Sequence, residues 1–146
     1  MRTNLMRESS MVDKFIEHFS ESAFFVKEVP VFAKSVDLVK FDFKEQKITA
    51  IEFKTTNLKK AELQALGSAI VFDFLEICVI KPSTEKCRTL IKDECTKQGI
   101  GLYFIDNETK DIDHIVEPLP HNGIWEIQRF QMIEYIKERL NDDWYI

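Results

Sequence analysis

Apolar positions along this chain recur every second residue in some stretches and every three to four in others, and the change of period lays out the elements. Residues 11–19 place Met11, Phe15 and Phe19 at helical spacing, with Val12 and Ile16 widening the stripe and Ser9 or Ser10 suited to the N-cap. Residues 24–32, FFVKEVPVF, read as a strand, and Pro30 puts a bulge or a sheet edge near its end. Two more strands follow at 35–43 and 47–54, interrupted by the polar Lys44-Glu45-Gln46. Thr55, Thr56 and Asn57 supply capping groups for a helix over 58–73, with Leu58, Ala61, Ala65, Leu66, Ala69 and Ile70 as its stripe. The apolar runs LEICVI at 75–80 and IGLYFI at 100–105 suit strands covered on both faces. Between them Pro82-Ser83-Thr84 opens a helix over 84–98, which Gly99 ends. Residues 111–117 alternate strictly, as an edge strand does, and His114 reads as structural, pointing with Ile112 and Val116 or into solvent. A last helix over 124–140 uses Ile124, Ile127, Gln131, Met132, Tyr135 and Ile136.

The order is therefore helix, three strands, helix, strand, helix, strand, with a terminal strand and helix added. Short reversals join the first three strands, whereas helical crossovers require the last two to pair in parallel. This predicts an α/β protein of mixed α+β type, with a mixed sheet flanked by helices. At 146 residues the chain suits one domain, 1–146, with a core at about 10–105 and an extension over 106–146.

The central hairpin concentrates the chemistry. A reversal between Lys44 and Glu45 sets residues opposite each other when their numbers add to 89, pairing Phe41 with Ile48, Val39 with Ala50 and Asp37 with Glu52. Alternation puts Asp37, Val39 and Phe41 on one side, and Ile48, Ala50, Glu52 and Lys54 on one side. Two carboxylates and an ammonium then meet at one end of an apolar face. Directly opposed like charges destabilise a sheet, so a folded protein keeps such a pair when a cation or a shared proton sits between them, or when it splays them into water. Hard oxygen ligands suit Mg²⁺ or Mn²⁺.

Asp37, a hairpin, then Glu52-Phe53-Lys54 resembles the PD-(D/E)XK nuclease superfamily, with its restriction endonuclease-like αβββαβ core. The resemblance spans the element order over about residues 10–105, and Val36 stands where the name-giving proline would be. It implies a metal-dependent nuclease that hydrolyses phosphodiester bonds in nucleic acid, most plainly a DNA endonuclease. Asp37 and Glu52 would hold Mg²⁺ or Mn²⁺, and Lys54 would position a water or neutralise charge. Asp13 and Glu17, one turn apart on the first helix, are the candidates for a further acid of the site. Gln64 is similar to a glutamine that some families of this fold place after the Glu-x-Lys strand. Lys59 and Lys60 at a helix start suit phosphate contact. Lys27 or Glu28 could approach the site, and nothing in the sequence decides whether either does.

Composition changes the picture little. The net charge of -5 is unusual for a nucleic-acid binder, but residues 1–105 hold 16 basic and 15 acidic side chains against 4 and 10 in 106–146. The acidity thus belongs to the extension. Three cysteines make no disulfide framework, and Cys78, Cys87 and Cys95 are all expected as buried thiols in a reducing cytoplasm. No apolar run reaches the ~20 residues of a membrane span. Scarce basic surface, with Trp125, Trp144 and Tyr145 near the end, points to a homodimer or a larger protein partner completing the DNA surface. The competing reading is a nuclease-like fold that no longer cuts and serves as a binding or regulatory module.

Overall fold

A computed structural model describes residues 4–55, 58–121 and 123–144. Ten elements run in the order α1 (Glu8–Phe19), β1 (Phe24–Val31), β2 (Lys34–Asp42), β3 (Lys47–Lys54), α2 (Leu58–Gly67), β4 (Phe74–Ile80), α3 (Glu85–Gln98), β5 (Gly101–Ile105), β6 (Ile112–Val116) and α4 (Glu126–Trp144). The strands form one sheet in sequence order, β1 to β6. β1, β2 and β3 pair antiparallel, β3–β4 and β4–β5 parallel, and β6 returns antiparallel to β5. The protein is thus a mixed α/β fold with a six-stranded mixed sheet and helices on both faces. Pro30 lies in β1, an edge strand, where a missing N–H breaks no second ladder.

Each face buries its own cluster. Val39, Phe41, Ile48, Ala50, Ile77, Leu102 and Phe104 meet Ala61 and Ala65 of α2, Ile91 of α3, and Met132, Ile133 and Ile136 of α4. The other face presents Leu38, Ile51, Phe53, Cys78, Tyr103 and Ile105 to Met11, Val12 and Phe15 of α1. Phe15 stands edge-on to Phe53 and Tyr103, with ring centroids 5.5 and 4.9 Å away.

The β2–β3 register has the expected sum: Val39 is opposite Ala50, and Phe41 opposite Ile48. Asp42 closes the turn by accepting from the Lys44 and Glu45 amides at 3.0 and 3.2 Å. Strict alternation, however, fails near Asp37. Val36 and Val39, three residues apart, lie in one cluster, as do Val26 and Val29 on the neighbouring strand. The β1–β2 register is unchanged on either side of this point, so Glu28 and Asp37 are each a residue out of alternation. Glu28 absorbs the change at φ 50°.

Several boundaries differ from expectation. α1 begins at Glu8 with Arg7 as its N-cap, so neither Ser9 nor Ser10 caps it. α2 stops at Gly67, short of the 58–73 helix the stripe suggests, and Thr56 and Asn57 lie outside the described residues. Ser68 folds back onto the Ala65 carbonyl, and Asp73 exchanges bonds with Ile48: its N–H donates to the Ile48 carbonyl at 2.9 Å, and its Oδ2 accepts from the Ile48 N–H at 2.8 Å. α3 is as expected, with Thr84 accepting from the Cys87 amide and Gly99 at φ 71°. On α4 the buried stripe is Met132, Ile133, Ile136 and Leu140, while Ile127 stays exposed. Cys78 and Cys95 are buried, but Cys87 is exposed, because its side of α3 faces solvent rather than the sheet. No described helix is long and apolar enough to cross a membrane.

Candidate functional site

The end of the β2–β3 hairpin brings the predicted acids together. Beyond the Leu38–Ile51 pair the strands part, and Asp37 fills the gap with its side chain. Its Oδ2 accepts from the Phe53 N–H at 2.8 Å, doing for that amide what a strand carbonyl would. Glu52 follows Ala50 on the α2 side of the sheet and is 2% exposed. Burial is the largest cause that pushes its carboxyl from 4.5 up to about 8, followed by the neighbouring Asp37 charge and a hydrogen bond between the two carboxyls. Lys54 opposes that rise. Its ammonium lies 3.7 Å from Glu8 Oε1 and its side chain is 15% exposed.

Two acceptors here lack donors. Glu52 Oε2 and Gln64 Oε1 are buried and bond no described group. Both residues line a recess of about 20 Å³ with Lys34, Ser35 and Ser68, which has room for about one water-sized group. Orphaned buried acceptors are costly, so this recess suits an occupant that is positive or rich in donors. On the α1 side a wider recess of about 300 Å³ is lined by Glu8, Asp13, Lys27, Glu28 and Asp37. The two recesses flank the Asp37–Glu52 pair.

The remaining candidates divide. Asp13 lines the wider recess but is bound to Lys27 at 2.6 Å. Glu17 is exposed, pairs with Lys14 at 3.5 Å, and is not brought to the acids, since it lies further along α1 than Asp13. Lys27 and Glu28 both reach the wider recess. Lys59 and Lys60 are exposed in the first turn of α2, with Lys59 4.0 Å from Glu62. The sequence reading missed Glu8 because a serine cap was expected after it; the acid preceding two serines was the available signal. Lys34 was missed too, since no motif marks it.

Mg²⁺ and Mn²⁺ fit what is present. The donors are hard oxygens, two of them carboxylates, and one carboxylate oxygen is unsatisfied. No group of three or more His, Cys, Asp or Glu side chains able to hold a metal occurs among the described residues. A pair of acids suits Mg²⁺, which keeps waters and shares substrate phosphate.

A larger cavity, about 490 Å³, lies on the α1 face of the sheet among Lys40, Thr49, Glu76, Tyr103 and His114. Its buried acid is already paired, with Lys40 Nζ 3.2 Å from Glu76 Oε1. His114 stacks on Tyr103 at 4.3 Å and bonds the Val116 carbonyl, a structural role as expected. Size favours this cavity; unsatisfied chemistry favours the smaller recess, and chemistry decides.

Comparison with protein-family models finds no match, and neither does comparison with curated proteins. Among solved structures, the chain is similar to the SPO1766 protein of unknown function from Silicibacter pomeroyi. The TM-score is 0.69 at 17% identity, over 97% of this chain and 90% of that one. At that identity the likeness shows a shared fold.

Proposed function

We propose that this chain is a divalent-metal-dependent phosphodiester hydrolase acting on nucleic acid, a DNA endonuclease built on a restriction endonuclease-like core. One observation carries the reading: Glu52 holds a buried carboxyl with an unbonded oxygen, beside a second carboxylate and an ammonium from its own strand. Asp37 and Glu52 would hold Mg²⁺ or Mn²⁺, which when bound lowers the pKa of a water and polarises a phosphate. The chain's residues do the rest. Burial makes charge on Glu52 costly until a cation arrives, so the site favours cations. Lys54 places an ammonium where phosphate charge develops. Gln64 Oε1 can accept from a water in the small recess. Lys59 and Lys60, at the start of α2, suit flanking phosphates.

Incubation with single-stranded, duplex and branched DNA in Mg²⁺ or Mn²⁺ tests the proposal. Cleavage by the wild type, lost in Asp37→Asn and Lys54→Met, is the expected result. No cleavage of any substrate in either metal would overturn it. A non-cutting binding module is the second reading, favoured by the Lys54–Glu8 contact that already engages the ammonium. DNA bound with metal yet left intact would select that module.

A further inference from the structure

We infer that the recess beside Phe32 takes an unstacked nucleobase, so that the substrate is nucleic acid carrying an unpaired nucleotide next to the cleaved phosphate. The inference rests on the phosphodiesterase reading and names its substrate class. Phe32 sits at the tip of the two-residue turn that closes the Val31–Lys34 pair. It is 65% exposed and held at φ 56°. A bulky aromatic rarely adopts the left-handed region, and an exposed one there gains no core packing in return. Such strain with a large ring in solvent suits a residue kept for contact with something else.

The surroundings say what kind of contact. Phe32 lines a recess of about 260 Å³ with Val31, Met132, Tyr135, Gln128 and Gln131. Aromatic rings offer a stacking surface that every base can use, and each glutamine amide offers a donor and an acceptor to a base edge. An aliphatic side chain or a lone phosphate would use only part of that set. Val31 forms a wall of this recess and of the one holding Glu52 and Gln64. A base on one side of Val31 therefore leaves its phosphate towards the acids, with Lys34 lining the acid side. A base inside a duplex is stacked and paired, so reaching this recess requires a single strand or a locally opened one.

The test uses the full chain at low salt, with a short single-stranded DNA carrying one 2-aminopurine and the same strand in duplex. Binding is followed by anisotropy and by quenching of the fluorescent base, and hydrolysis of bis(p-nitrophenyl) phosphate in Mn²⁺ is measured separately on the wild type. We expect the single strand to bind more tightly than the duplex, with quenching. Phe32→Ala should weaken single-strand binding about tenfold and remove the quench, while Phe32→Trp retains both. Equal affinity for the two DNA forms, or indifference to Phe32→Ala, overturns the inference even where the small diester is hydrolysed. Absence of binding to either form overturns it as well. Phe32-dependent quenching without hydrolysis of the small diester supports the base recess and removes the catalytic reading instead.

Discussion

Replacing Glu52 by Gln should make the protein more stable at alkaline pH and should flatten its pH dependence. In the folded chain this carboxyl titrates at about 8 instead of 4.5, chiefly because it is buried. A raised acid pKa means the folded state holds the proton more tightly than the unfolded state does. Between those two values the folded state binds more protons, so stability falls as pH rises. The loss from this one group therefore grows between about pH 5.5 and about pH 8.5. The increase, about 3 kcal/mol, is a large fraction of the 5–15 kcal/mol that holds a typical domain together. Urea unfolding of wild type and Glu52→Gln at the two pH values measures it directly. The wild type should lose about 3 kcal/mol more than the variant over this interval. Parallel curves for the two proteins would refute the claim that Glu52 is buried and unsatisfied.

Millimolar Mn²⁺ should raise the wild-type melting temperature, more at about pH 8 than at about pH 5.5, because metal and proton compete for the same carboxyls; scanning calorimetry with Asp37→Asn as control should show the effect removed. Arg129→Ala should cost about 3 kcal/mol in urea unfolding, since Arg129 Nε bonds the buried Asp73 at 2.9 Å and its Nη2 bonds the Gln46 carbonyl at 2.6 Å, and its loss strands the carboxylate. A cost below about 1 kcal/mol would mean that Lys47, 3.7 Å from Asp73, suffices as partner. Leu119, Trp125, Ile127 and Phe130 are exposed large apolar residues in the 106–146 extension, and we expect self-association through them. Light scattering across a concentration series should show a dimer that Ile127→Asp dissociates; a monomeric wild type at every concentration excludes the homodimer.

The element order, the hairpin register and the meeting of Asp37 with Glu52 were legible in the sequence because they follow from local rules. Period decides helix or strand, crossover connections force parallel pairing, and the polar break at residues 44–46 sets which residues face each other. Gly99 at the end of α3 was equally readable, since a helix stop in the left-handed region is a property of one residue. What the pattern could not supply depended on neighbours distant in sequence. Helix 58–73 looked continuous, yet Asp73 is tied to β3, whose Ile48 N–H its carboxylate bonds, and this tertiary contact outweighs two further turns of helix. Strict alternation also broke at Glu28 and Asp37, where two strands leave phase together and keep their register, a change no single strand announces. That break turns Asp37 towards the Phe53 amide. The unsatisfied oxygens of Glu52 and Gln64 are likewise a tertiary fact, because an acid or amide becomes costly only once α2 and the sheet have shut water away from it.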